Sequence, residues 1–250
     1  MWIFTSRADS NFTYALTDRC KVNLATSVAS LLQKDYAEIS GYFREIETDE
    51  AFNAHVRRPW SKHPERYRTD EVPLIGRRIV WYAIARATKP KVLVETGVDQ
   101  GMGAVVLCAA LARNAAEGHP GKYYGTDINP DAGYFLQSPY SSHGTILYGD
   151  SLKSLEALSE AVNLFINDSD HSEIYEQAEY ELIKSKLSSE AIVLGDNSHV
   201  TSKLAEFSVR EGRPFVFLSE EPADHWYRGA GIGVSLSRTW LLSGQRRNGY

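Results

Sequence analysis

Val92-Leu93-Val94-Glu95-Thr96-Gly97-Val98-Asp99-Gln100-Gly101-Met102-Gly103 is the stretch on which the reading of this chain turns. A run rich in β-branched residues ends on a carboxylate, two glycines follow four residues apart, and Gly103–Ala116 is small and apolar in a helical pattern. Glycine lets the backbone turn sharply and approach a ligand, and the amides of the following helix then point at that ligand. Strand, glycine turn and helix together open a parallel α/β unit.

Working outward, the pattern repeats. Strands are expected at Val92–Glu95, Tyr123–Thr126, Thr145–Tyr148, Leu164–Asn167, Ala191–Leu194, Pro214–Leu218 and Ile232–Ser237. Helices are expected at Gly103–Ala116, Leu152–Ala161, Glu173–Leu187 and Thr201–Glu211. Such alternation means parallel strands with crossover helices, and the helix-free link between the last two strands suggests an antiparallel edge hairpin. Before this region, apolar residues from Ala25 through Val28, Leu32, Tyr36, Ile39 and Phe43 to Ile46 step by three and four, the period of an amphipathic helix. Arg57-Arg58-Pro59-Trp60 and the residues to Arg68 read as a loop or linker, because two prolines and a charge cluster interrupt any pattern. Asp70 then caps a helix with Pro73 in its first turn, which Lys89-Pro90 ends. The expected organisation is a helical extension over 1–69 and a principal domain over 70–250. The extension would serve as a lid, a substrate wall or a homo-oligomer contact.

Composition excludes several classes of function. Of 250 residues, 27 are Lys or Arg and 32 are Asp or Glu, a net charge of −5 that offers no bulk positive field to nucleic acid. Two cysteines are too few for a disulfide framework. No apolar run approaches the ~18 residues of a membrane span, and Met1–Arg7 lacks a signal-peptide shape. The expectation is a cytoplasmic protein with a small-molecule partner, neither nucleic acid nor membrane.

Acidic residues recur at strand ends. Asp127 closes the second strand, where a carboxylate can accept both hydroxyls of a ribose. Asp150, in Gly149-Asp150-Ser151, follows the third and could accept from an adenine amino group, or cap a helix. Asp168 and Asp196 follow the fourth and fifth strands, which should pair and bring the two carboxylates together. Bare carboxylates that close repel unless a positive charge intervenes. With the Asn197 amide oxygen they form an all-oxygen set suited to Mg²⁺.

The Glu95-Thr96-Gly97-x-x-x-Gly101 turn, Gly149-Asp150-Ser151, Asp168-Ser169-Asp170-His171-Ser172 and Asp196-Asn197 together resemble the class I S-adenosylmethionine-dependent methyltransferases. Within these the chain is most similar to the divalent-metal-dependent O-methyltransferases, especially the macrolide and aminocoumarin sugar group. That group shows Phe-Ile-Asp-Gly-Asp-His-Ser where this chain has Phe165-Ile166-Asn167-Asp168-Ser169-Asp170-His171-Ser172, with one residue inserted and serine for glycine. Asp196-Asn197 is the pair of catechol-type enzymes rather than the two aspartates frequent in the sugar enzymes. The resemblance spans roughly Pro73 to Trp240.

The resemblance implies a Rossmann-like sheet of seven strands in the order 3-2-1-4-5-7-6, strand seven antiparallel. It implies S-adenosylmethionine over Gly97 and Gly101, Asp127 on the ribose, Asp150 and Ser151 near the adenine, and Glu95 near the methionine amino group. A metal would be held by Asp168, Asp196 and Asn197. Asp170 maps onto the suggested base, with His171 and His199 as alternatives by pKa. The implied activity is methyl transfer to a hydroxyl of a sugar, glycoside or diol-like acceptor. His225, Trp226 and Tyr227 would suit an acceptor wall, as would Trp60, Tyr67, Arg57, Arg58 and Arg68. Three other readings stand beside it. One is a metal-independent methyltransferase, and one a non-catalytic module on the same fold. The third is a nicotinamide oxidoreductase, disfavoured because Val106 occupies the third glycine position of its fingerprint.

Overall fold

The structure is a computed structural model describing residues 14–62, 74–170, 172–196 and 198–240. The chain divides into two compact units, Met1–Ile84 with Ser219–Ala230, and Ala85–Leu218 with Gly231–Tyr250. The boundary expected at 69/70 lies outside the described residues.

In the first unit, α1 (Asp18–Leu32), α2 (Tyr36–Glu47) and α3 (Glu50–Trp60) are short amphipathic helices, and α4 (Arg78–Thr88) begins there and ends in the second. The apolar period read as one helix is divided between two. Thr17 caps α1 by accepting from the Cys20 amide, and α1 ends where Gln33 turns left-handed at φ 52°. The buried stripes are Leu24, Val28 and Leu32 on α1, then Ile39, Phe43 and Ile46 on α2. Three linking residues happen to preserve the spacing, so the break is invisible to periodicity.

Of the passage expected as a loop from Arg57 to Arg68, Arg57–Trp60 is instead the last turn of α3, and 63–68 lie outside the described residues. Asp49 accepts from the Phe52 amide at 2.9 Å and starts the helix, and buried Phe52 and Val56 hold it. Packing carries the helix through Pro59. Helix α4 begins at Arg78, and Leu74-Ile75 ahead of it are not helical; Asp70 and Pro73 lie outside the described residues. Its end is as expected, with Lys89 at φ 49° before Pro90.

The second unit carries the sheet. The elements are β1 (Val92–Thr96), α5 (Met102–Ala116), β2 (Lys122–Asp127), β3 (Gly144–Tyr148), α6 (Ser151–Ala157), β4 (Val162–Asn167), α7 (Glu173–Lys184), β5 (Leu187–Gly195), α8 (Lys203–Arg210), β6 (Phe215–Ser219) and β7 (Gly231–Ser235). Strand order is β3-β2-β1-β4-β5-β7-β6, and β7 runs antiparallel to β5. This is the expected Rossmann-like architecture. One face is packed by Val94, Phe165, Val193, Leu155, Tyr180, Ile183, Leu204 and Phe207 from three strands and α6 to α8. Strand β1 is buried along its whole length, as a central parallel strand must be. Among the described residues, no helix is long and apolar enough to cross a membrane.

The end of α5 carries an ion pair with a pH signature. The Arg86 guanidinium donates to Glu117 at 2.5 Å, with Lys89 at 3.2 Å, and holds that carboxyl at about 2. Because the folded pKa lies below the ordinary value, the stabilisation is present above about pH 4.5 and is lost as pH falls toward 2. Glu117 is 44% exposed, so solvent limits the effect to about 1 kcal/mol. In urea melts, the gap between the unaltered chain and Glu117→Gln should therefore close between pH 5 and 2. A gap independent of pH would refute the assignment.

Candidate active site

The C-terminal edge of β1 meets those of β2 and β4, with Thr96 paired to Thr126 on one side and to Asn167 on the other. Chains leaving β1 and β4 go to opposite faces of the sheet, which makes this a topological switch point where open α/β sheets hold ligands. Each sequence-derived residue can be located against it.

The glycine turn is shaped by backbone. Gly97 has φ 81°, and its amide donates to the Thr126 carbonyl at 2.9 Å. A Cβ there would lie 2.0 Å from the carbonyl oxygen of Asp168, so the segment after β4 lies directly over this glycine. Gly101, at φ 87°, caps α5 with no side-chain bond to the helix amides. The loop after β2 lies against it: the Gly133 amide donates to Asp99 at 2.7 Å and the Phe135 amide to Gln100 at 2.9 Å.

Glu95 is buried at the end of β1 on the opposite face from Thr96 and accepts from the Tyr123 hydroxyl at 2.5 Å. Burial, then the Glu95 charge, pushes the Tyr123 hydroxyl well above the usual tyrosine range. Burial likewise raises the Cys108 thiol, so this cysteine is no nucleophile.

Asp127 is half-buried, and both its oxygens are already engaged. Oδ2 accepts from the Asp99 amide at 2.7 Å and Oδ1 from the Asn129 amide at 2.8 Å. It fastens the loop after β2 to the glycine turn, and each oxygen retains a second lone pair for a ligand hydroxyl. Asp150 caps α6 through the Leu152 amide at 2.9 Å and accepts from the Tyr175 hydroxyl at 2.9 Å. The Tyr175 bond, with the Leu152 amide, holds its carboxyl below the usual range. At Gly149, beside Asp150, a Cβ would meet nothing within 4 Å.

Strands β4 and β5 are neighbours, paired in parallel with Asn167 opposite Gly195. Asp168 and Asp196 therefore stand one residue beyond a directly paired position. Asp168 is half-buried and Asp196 is 1% exposed. The adjacent Asn167 is fully buried, and its Oδ1 has no hydrogen-bond partner among the described residues. This donor set is all oxygen, as a hard cation requires. Among the described residues no three His, Cys, Asp or Glu side chains are grouped for a metal. Asn197 and His171 lie outside the described residues. Asp170 is exposed and accepts from the Ser172 amide at 2.7 Å ahead of α7. His199 is exposed, its Nδ1 3.1 Å from the Asp196 carbonyl.

Of the residues suggested for an acceptor wall, three belong to the first unit's segment Ser219–Ala230. His225 and Tyr227 pack on Tyr14 within the first unit, with ring centroids 5.9 and 5.6 Å apart, and Trp226 packs on both neighbours. Tyr67 and Arg68 lie outside the described residues.

Sequence reasoning missed two carboxylates on α7. Glu176 and Glu179 are both fully buried. They share one face with Tyr180 and Ile183, spaced i, i+3, i+4 and i+7. A charge at core-facing positions was the available signal.

The model of a family described as a methyltransferase domain matches residues 94–198, from within β1 to just beyond β5. These residues are thus similar to a methyltransferase domain. Solved structures agree in fold at low identity. TomG of Streptomyces achromogenes, an O-methyltransferase of tomaymycin synthesis in complex with S-adenosylmethionine, is 13% identical with a TM-score of 0.55 over 78% of this chain and 94% of its own. A Bacillus cereus O-methyltransferase in complex with S-adenosylhomocysteine is 11% identical with a TM-score of 0.55, covering 79% and 96%. S-adenosylhomocysteine-bound methyltransferase PaMTH1 of Podospora anserina is 14% identical with a TM-score of 0.53, covering 80% and 94%. No curated protein matches the chain. Within the matched residues, the glycine turn and three of the strand-end carboxylates, Glu95, Asp127 and Asp150, stand at one sheet edge.

Proposed function

We propose that the chain transfers the methyl group of S-adenosylmethionine to a hydroxyl of a small-molecule acceptor such as a sugar, glycoside or vicinal diol, with a divalent cation assisting. The observation that carries this reading is the glycine turn at positive φ, flanked by Glu95, Asp127 and Asp150 at successive strand ends. The O-methyltransferases of similar fold support oxygen as the acceptor atom.

The cofactor, when bound, supplies an electrophilic sulfonium methyl. The remaining tasks fall to the chain. Gly97 and Gly101 admit close approach of the cofactor, and Glu95 attracts its amino group. Asp127 accepts from the ribose hydroxyls, and Asp150 with Ser151 stands at the adenine. The acceptor must be held in line with the methyl and must lose its hydroxyl proton. Asp170 is the proposed base, with His171 the alternative.

Asp168, Asp196 and Asn197 are the proposed holders of Mg²⁺, supported by the β4–β5 register. A divalent cation, when bound, would lower the pKa of the acceptor hydroxyl and fix its orientation. A metal-independent enzyme is the second reading, favoured by the absence among the described residues of three grouped acidic, histidine or cysteine side chains.

Calorimetry separates these readings. The unaltered chain should bind S-adenosylhomocysteine, and the loaded chain should then bind Mg²⁺ or Mn²⁺. Asp168→Ala and Asp196→Ala should each abolish cation binding while retaining the nucleoside. Nucleoside binding with no cation binding at saturation would establish the metal-independent reading. No nucleoside binding would overturn the assignment to methyl transfer.

A further inference from the structure

The buried carboxylate of Glu179 is bonded to segments that the sequence scatters over more than seventy residues. Its Oε2 accepts from Thr96 Oγ1 at 3.0 Å, from Ser169 Oγ at 2.8 Å and from Asn167 Nδ2. Its Oε1 accepts from Ser151 Oγ. One turn earlier on α7, the Tyr175 hydroxyl lies 2.9 Å from both Asp150 Oδ1 and Ser151 Oγ.

The four donors are not arbitrary. Thr96 stands between Glu95 and Gly97, and Ser151 follows Asp150. Asn167 and Ser169 bracket Asp168, whose carbonyl lies over Gly97. A carboxylate accepts only, and two oxygens with about four lone-pair sites match four donors. We propose that Glu179 is a positioning residue for the methyl-transfer site, fastening the glycine turn, the Asp150 segment and the Asp168 segment in one alignment.

The proposal rests on the reading that these segments hold S-adenosylmethionine. The geometry behind it is independent of any ligand. Burial raises the Glu179 carboxyl, and the bonds from Ser151, Ser169 and Thr96 oppose that rise. A neutral acid in this place would itself donate a proton and could no longer serve all four donors.

Glu176 supplies an internal comparison. It is as fully buried and lies on the same helix, but it accepts from the Tyr180 hydroxyl at 2.9 Å and from Thr201, away from those segments. Glu179→Gln preserves shape yet leaves one acceptor oxygen where there were two. It should weaken S-adenosylhomocysteine binding about tenfold, the scale of one lost charge-assisted bond. Glu176→Gln should lose thermal stability but keep its affinity within about twofold of the unaltered chain.

Should Glu179→Gln fail to fold, Thr96→Val and Ser169→Ala remove single donors and should each weaken binding about threefold. Calorimetric titration of the full chain, beside thermal melts of every variant, decides the matter. Unchanged affinity in Glu179→Gln, or equal losses in Glu179→Gln and Glu176→Gln, would overturn the positioning role alone. In the fallback, unchanged affinity in both single-donor variants would do the same. If the unaltered chain binds no S-adenosylhomocysteine, the cofactor reading fails, and this inference fails with it.

Discussion

Gly97→Ala is expected to cost the chain about a hundredfold in S-adenosylhomocysteine affinity under the proposed function, equivalent to about 2.8 kcal/mol. A Cβ at this position would stand 2.0 Å from the Asp168 carbonyl oxygen and 2.5 Å from its carbon. Both atoms are backbone, so relief requires the whole segment after β4 to retreat, taking Asp168 and Ser169 with it. Alanine at φ 81° adds roughly 1–2 kcal/mol of conformational strain, and overpacking typically adds roughly 1–3 kcal/mol. Gly118→Ala is the matched control. That glycine has φ 86°, but a Cβ there meets nothing within 4 Å. It should show the conformational cost alone and bind S-adenosylhomocysteine unchanged. Equal binding by Gly97→Ala and Gly118→Ala would contradict the proposed role of the turn.

Glu220→Ala should strongly destabilise the first unit. The Glu220 side chain is 1% exposed and accepts from the Tyr14 hydroxyl at 2.6 Å, from Arg77 at 3.1 Å and from the Ala230 amide at 3.0 Å. Arg77 also donates to the Tyr14 hydroxyl at 3.0 Å. Burial above all, with the Glu220 charge, raises the Tyr14 hydroxyl, so it stays a donor at any ordinary pH. Removing the carboxylate takes from Arg77, whose side chain is 14% exposed, a buried partner charge. Breaking a buried pair in this way costs about 3–5 kcal/mol. Glu220→Gln keeps an acceptor and should cost about 1–3 kcal/mol. The double variant Arg77→Met, Glu220→Gln should recover part of the loss. Next door, Glu221 pairs with Arg19 in solvent, and Glu221→Ala should leave the melt unchanged. The account is wrong if urea unfolding gives Glu220→Ala and Glu221→Ala the same stability.

All seven strands were legible because their signals are local. All but the last are short apolar runs closed by glycine or an acidic residue, and β1 differs from its expected bounds by one residue. Helical breaks were less legible. The phase from Leu32 to Tyr36 survives the left-handed Gln33, and the proline rule at Pro59 gave way to a helix begun at Asp49 and held by Phe52 and Val56. Aspartates at strand ends could be found, but not what already occupies them. That Asp127 accepts two backbone amides depends on where the loop after β2 comes to rest.

By itself the sequence determined the alternation of strands and helices, and with it the sheet edge at which Glu95, Asp127, Asp150, Asp168 and Asp196 gather. Periodicity and turn chemistry act over a few residues, and these suffice for that. Tertiary structure alone decided that Glu179 fastens Thr96, Ser151, Asn167 and Ser169, and that Glu220 meets Tyr14 across 206 positions. A buried carboxylate is tolerable only where donors converge on it, and that convergence belongs to the packed chain, not to any window of its sequence.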